Sequence, residues 1–119
     1  MGIQTPANAT ARLLSAAASD NATQVNALPC ELKGVQGVNK AAYDVFLKLY
    51  AGTGAAPVVG DVPRKTLCLP AGGAFALDFA AGIFFRSGLS YRVTKLVADA
   101  DATALVAGDV VGLNIDYAQ

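Results

Sequence analysis

The sequence predicts an all-β fold, a single antiparallel β-sandwich or jelly-roll-like domain with an extended N-terminal arm. From Val25 onward, hydrophobic and polar residues alternate with a period of two. Glycine, proline and aspartate separate six to eight short segments of this kind, and no stretch of ten or more residues shows strong helical periodicity. The length of 119 residues is that of one domain.

Residues 1–20 are predicted to form the arm and residues 21–119 the sandwich. The arm is rich in Ala, Asn, Thr and Ser, with one apolar pair, Leu13 and Leu14. Its residues 12–18 are compatible with a short helix or with an edge strand. We expect the arm to become ordered only on contact with another molecule.

The predicted strands follow in chain order, and each is bounded by turn-forming residues. The clearest strand places apolar side chains on one face and a mixture of polar and aromatic side chains, including Phe46, Lys48 and Tyr50, on the other. A face of this composition favours contact with a neighbouring subunit. The strands are expected at Cys30–Val38, Ala42–Tyr50, Arg64–Leu69, Phe75–Phe79, Ile83–Phe85, Leu89–Thr94 and Val111–Tyr117, with a loop at Asp99–Asp109.

Composition indicates a protein that contacts other proteins. Nine basic and nine acidic residues are scattered without a cationic cluster, which argues against nucleic-acid binding. No apolar run reaches the ~18 residues of a membrane span, and residues 1–6 lack the pattern of a signal peptide. Only 15% of the residues are charged, against about 25% in average domains. This predicts burial against other subunits, an alanine- and glycine-rich surface, or both.

Catalytic chemistry has little support in the sequence. The absence of histidine excludes Ser–His–Asp and Cys–His catalysis and imidazole-ligated zinc. Three carboxylates, Asp44, Asp78 and Asp116, are predicted to lie mid-strand on the side that the alternation assigns to solvent, so no acid–base role is predicted for them. We therefore predict a protein that is not an enzyme and has no cofactor.

Asp99 and Asp101 are the best candidate metal ligands, because carboxylates at this spacing resemble the start of a calcium loop. Ala104 and Val110 stand where an EF-hand needs Gly and Glu, so a solvated turn is favoured and no metal site is predicted.

Cys30 and Cys68 lack a CxxC spacing. Both are expected to be small buried residues of strands, bridged only if their strands are neighbours. Four aromatic residues are expected to fill the core, with a platform for a sugar or peptide as the alternative; they are Phe79, Phe84, Phe85 and Tyr91.

The order of segments over residues 20–119 resembles the small β-sandwich structural proteins of tailed bacteriophages. The resemblance is a pattern of strands and turns, not a catalytic signature. Its segments are Tyr43–Tyr50, Val62–Gly73, Phe75–Phe79, the pairs Gly82-Ile83 and Gly88-Leu89, and Gly108–Tyr117.

The resemblance implies a component of the virion, made in the host cytoplasm. The favoured role is a capsid decoration, or cement, protein that binds the outer surface of the head as a homotrimer and stabilises the lattice of the major capsid protein. The alternatives are a tail, baseplate or head-spike module and, in a different class, a carbohydrate- or receptor-binding sandwich. The expected contact residues are Arg12, Leu13 and Leu14 for the shell, and Phe46, Lys48 and Tyr50 for a neighbouring subunit.

Overall fold

The computed structural model describes residues 8–52, 56–58 and 60–119, which form two sheets and no helix. This part of the chain therefore holds no helix long and apolar enough to cross a membrane. The strands found in it are β1 (Asn8–Ser15), β2 (Thr23–Asn26), β3 (Cys30–Asn39), β4 (Val45–Tyr50), β5 (Lys65–Leu69), β6 (Gly73–Phe85), β7 (Leu89–Thr94) and β8 (Val110–Ala118).

The first sheet has the strand order β1-β8-β3-β6, and the second has the order β2-β7-β4-β5. All neighbouring strands are antiparallel. Strand 1 thus pairs with 8, 2 with 7, 3 with 6 and 4 with 5, as in one long hairpin that is rolled up. This is the strand order of a jelly roll, so the predicted all-β sandwich is confirmed.

The core lies between the two sheets and is built by the period-two alternation of the strands. Burying each large apolar side chain contributes about 1.5–3 kcal/mol relative to leaving it in water. The largest fully buried apolar residues come from both sheets: Leu32, Val35, Val45, Leu47, Leu49, Leu69, Phe85, Leu89, Leu113 and Ile115.

The predicted arm is partly integrated into the sandwich. Residues 8–15 form β1, the edge-strand alternative, and pair with β8 from Asn8–Ala118 to Ser15–Val111. The expectation that the arm requires another molecule for order is wrong for this stretch, because β8 of the same chain supplies its hydrogen bonds. Residues 1–7 of the predicted arm lie outside the described residues.

Several strand boundaries also differ from the prediction. β4 begins at Val45 rather than Ala42. The Asn39 side chain accepts a hydrogen bond from the N–H of Ala41 and donates one to the carbonyl oxygen of Tyr43, which holds these residues in a turn. The expected strands Phe75–Phe79 and Ile83–Phe85 are parts of one strand, β6. Gly82, with a φ of 76°, lies in a bulge instead of a turn.

The connection from β6 to β7 requires glycine at position 88. Gly88 has a φ of 105°, and a Cβ atom there would lie 2.5 Å from the carbonyl oxygen of Asn26 and 2.8 Å from that of Gly52. Any side chain would therefore push apart two backbone segments at this end of the sandwich.

Candidate interaction surfaces

The outward side of the second sheet, which we call the covered face, lies beneath other parts of the chain. Lys48 is 0% exposed although it points away from the core. Its Nζ donates to the carbonyl oxygen of Ala98 and, at 3.0 Å, to the carbonyl oxygen of Asp101. Lys48 therefore holds the loop between β7 and β8 on the sheet. Burial lowers the pKa of the Lys48 ammonium; the Asp101 carboxylate opposes this shift and the Arg92 charge reinforces it.

Arg92 lies beside Lys48 on β7 and is also 0% exposed. Its Nε donates to the Tyr50 hydroxyl at 3.0 Å, and its Nη2 donates to the Asp101 carbonyl at 3.3 Å. Nη1 is 3.5 Å from a carboxylate oxygen of Asp20, which compensates part of the buried charge. Arg92 therefore ties together the sheet, the β7–β8 loop and the connection between β1 and β2.

The three residues expected to contact a neighbouring subunit, Phe46, Lys48 and Tyr50, differ in how much surface they expose. Lys48 and Tyr50 are buried by the chain itself, and Phe46 is half-buried. Alternation in sequence distinguishes the two sides of a strand, but it does not say whether a loop folds over the outer side. The proposed contact with a neighbouring subunit stays a prediction, and Phe46 is the residue of the three that retains surface for it.

Asp101 organises the loop that lies on the covered face. Its carboxylate accepts hydrogen bonds from the Thr103 hydroxyl at 2.6 Å and from the backbone N–H groups of Leu96 and Thr103. Burial raises the pKa of this carboxyl, but the three hydrogen bonds outweigh burial, so the pKa lies below its ordinary value. The described residues contain no group of three His, Cys, Asp or Glu side chains that could hold a metal ion. Asp101 acts as a structural cap of a turn.

The three carboxylates predicted to lie mid-strand do not come together, and Asp44 precedes β4 instead of lying within it. Asp44 is exposed and accepts the N–H of Ala71, and Asp78 is exposed on β6. Asp116 is half-buried and joins two strands, because it accepts from the Thr10 hydroxyl at 2.7 Å and from the Gln36 amide at 2.8 Å.

The two cysteines lie in different sheets and are both free. Cys30 is buried as expected, whereas Cys68 is exposed, which corrects the prediction. Cys68 stands opposite Phe46, and its side chain points away from the core because its neighbours Leu67 and Leu69 point inward.

Three of these four aromatic residues contribute to the core. Phe85 and Tyr91 are buried, and Phe79 packs against the core from its rim. Phe84 is the exception, at 51% exposed. The described part of the chain thus presents one exposed ring from this set and no aromatic platform built from it.

The outward side of the first sheet, which we call the open face, carries its side chains in rows that the strand register sets. In one row Val38 pairs with Val111 and with Ala74, and the β1 residue opposite Val111 is Ser15, next to the exposed Leu14. The next rows are mostly polar: Arg12, Asn114, Gln36 and Ala76, then Thr10, Asp116, Gly34 and Asp78. The open face is therefore apolar at one end and polar further along.

The residues predicted to contact the shell lie on both sides of β1. Arg12 and Leu14 point outward and are exposed, with Leu14 at 73%. Leu13 points inward and packs against the core, so its side chain is only partly available for contact with another molecule.

Comparison with protein-family models, with curated proteins and with solved structures finds no match to this chain.

Proposed function

We propose that this protein is a capsid decoration protein, which binds the outer surface of a tailed-bacteriophage head as a trimer and stabilises the lattice of the major capsid protein. The observation that carries the proposal is the open face of the first sheet, with its apolar row Val111, Val38 and Ala74 and the exposed Leu14 nearby on β1. An exposed apolar patch beside polar groups is typical of a protein-binding surface.

The jelly-roll order and the composition support the same proposal. Jelly rolls recur in viral capsid and lectin domains, which is an argument by analogy because a fold does not fix a function. Two buried polar side chains, Lys48 and Arg92, donate hydrogen bonds to carbonyl oxygens of the β7–β8 loop and hold it on the sheet. A rigid module with a low-charge surface suits passive clamping of neighbouring subunits.

The physical basis of such clamping is mass action. A ligand that binds the expanded shell but not its precursor stabilises the expanded state by RT ln(1 + [L]/Kd), which is about 2.7 kcal/mol when the free concentration is 100 times Kd. Many copies on one lattice, each a trimer, gain further from avidity. No single strong contact is needed.

Binding to a sugar, the alternative from a different class, has weaker support. Lectins also use jelly rolls. A cleft of about 400 Å³ lies at Tyr50, Pro57, Asp61 and Ser90. However, the aromatic rings expected to stack on a sugar mostly fill the core, as Phe85 and Tyr91 do.

The proposal is tested by mixing the purified chain with unexpanded and expanded heads of the phage that encodes it, then sedimenting the heads. We expect saturable binding to expanded heads and little binding to unexpanded heads. Val38→Asp places a charge in the open face and should abolish binding, whereas Val97→Asp, at a similarly exposed position outside that face, should not. Absence of binding to expanded heads refutes the function, and equal binding by both variants refutes the open face as the contact.

A further inference from the structure

Within the described residues, the first sheet has two free edges, β1 and β6. An edge strand presents unpaired backbone N–H and C=O groups, and proteins usually block it with lysine, proline, a bulge, short length or a cover. β6 is 13 residues long, and its sequence contains no proline or lysine and one charged residue, Asp78. Its regular pairing with β3 runs from Gly73 to Asp78, before the bulge that contains Gly82, and the Phe84 carbonyl further along accepts from the Arg64 guanidinium, so the regular open stretch is residues 73–78.

The core is incomplete along both edges. On the inward side of β1, Ala11 and Leu13 pack against the core but remain only partly buried. On the inward side of β6, the same holds for Leu77 and Phe79. A further strand at either edge would cover these side chains and gain their burial.

The outward charges of the two edges are complementary. Arg12 is the exposed cation of β1 and lies near its middle, and Asp78 is the exposed anion of β6. If two copies paired β1 with β1 about a two-fold axis near the middle of the strand, Arg12 would lie close to Arg12, and a β6–β6 pair centred in the same way would bring Asp78 close to Asp78. Like charges on opposed strands are destabilising, so both symmetrical pairings are disfavoured.

We infer that β1 of one copy pairs antiparallel with β6 of the next, with Arg12 opposite Asp78 and Leu14 opposite Ala76. The strand directions permit this, since β1 and β6 of one sheet are antiparallel and the next β1 simply continues the alternation. In this register, Leu13 meets Leu77 on the inward side, and Ala11 meets Phe79. The partly buried rims of two cores therefore join.

A head-to-tail contact of this kind either closes into a ring or continues as a filament. The inference deepens the proposed function and rests on it only for the number three, the closed ring. It assigns β1 to a neighbouring copy instead of to the capsid shell.

Cysteine cross-linking tests the contact in the full chain carrying Cys68→Ser, which removes the exposed thiol. The double variant Arg12→Cys, Asp78→Cys should form covalent dimers and trimers on mild oxidation, because side chains directly opposite on paired strands come within disulfide range. Within one chain these two positions are separated by β8 and β3 and cannot bridge. Dimers from either single-cysteine variant would instead reveal two-fold pairing and overturn the inference, as would the absence of any cross-linked product from the double variant.

Charge exchange gives an independent readout by sedimentation velocity. Arg12→Asp and Asp78→Arg should each weaken association about fivefold or more per contact, and the combined exchange should restore it. Arg86→Asp, which changes an exposed cation outside both strands, is the matched control and should have no such effect. Failure of the double exchange to restore association contradicts the pairing.

The decoration function and the contact between β1 and β6 can be refuted independently. Chains that cross-link between β1 and β6 but do not bind expanded heads refute the decoration function and leave the contact standing. Chains that bind expanded heads but give no cross-link between positions 12 and 78 refute the contact alone.

Discussion

Replacing Lys48 by methionine and by alanine separates the packing of this buried side chain from its charge. Lys48 is fully buried beneath the β7–β8 loop and donates to the carbonyl oxygens of Ala98 and Asp101. Methionine keeps most of the length and volume of the stem but removes the ammonium group, whereas alanine removes both.

The expected loss in free energy of unfolding for each variant follows from the packing that is lost and from the hydrogen bonds that remain. In Lys48→Ala, three buried methylenes are lost at about 0.8 kcal/mol each, and the cavity adds to this, for about 2.5–4 kcal/mol in total. In Lys48→Met, the Ala98 carbonyl still accepts the N–H of Asp101 at 2.9 Å, and the Asp101 carbonyl still accepts from Arg92. No carbonyl is orphaned and a buried charge disappears, so we expect a change within about 1 kcal/mol.

Urea denaturation of the three proteins at pH 7 measures these differences. If Lys48→Met is as destabilising as Lys48→Ala, then the two hydrogen bonds of the ammonium group contribute more to stability than the packing of the stem, and the packing argument is wrong. A pH series adds a second check. The folded-state pKa of Lys48 lies below its ordinary 10.5, so the unfolded chain binds more protons between the two values. The stability of the wild-type protein relative to Lys48→Met should therefore rise as the pH increases through that window.

Three further changes have expected outcomes. Gly88→Ala should lower the free energy of unfolding clearly more than Gly72→Ala, which should lower it by about 1–2 kcal/mol. Both glycines have positive φ, but only at Gly88 would a Cβ atom meet backbone oxygens. Thermal denaturation measures the difference, and equal losses of stability would contradict the clash. A thiol reagent should label Cys68 in the native protein and Cys30 only after unfolding; rapid labelling of Cys30 would contradict its burial. Asp101→Asn should destabilise by about 1 kcal/mol at pH 7. Because the folded-state pKa of Asp101 lies below 3.8, this difference should disappear as the pH falls through it, and a difference that persists in acid would point to another cause.

The fold class was predictable because a period-two pattern specifies strands whatever the topology. The inward residues Leu47 and Leu49 of β4, and Leu113 and Ile115 of β8, are those that alternation identifies. The strand order was not predictable, because the same pattern is compatible with several ways of arranging eight strands in two sheets. β6 was divided in two because Gly82 signals a turn and a bulge equally well.

The covered face was the main feature missed. Its sequence signal was the length of the segment between β7 and β8, residues 95–109, since long loops without strands or helices are uncommon in compact domains and have to pack somewhere. This loop includes the buried Leu105, and Lys48 and Arg92 fix its carbonyls to the sheet. Lys and Arg are rarely fully buried without partners, and alternation alone gave no reason to bury either of them.

A cryo-electron reconstruction of the particle of the phage proposed to encode this protein is the most direct test of the proposed function. We expect trimers of jelly-roll domains on the outer surface of the expanded head at local three-fold positions, with the open face toward the major capsid protein and continuous sheet density from β6 of one copy to β1 of the next. Density for this chain in the tail or baseplate, or its absence from the particle, would contradict the proposed role.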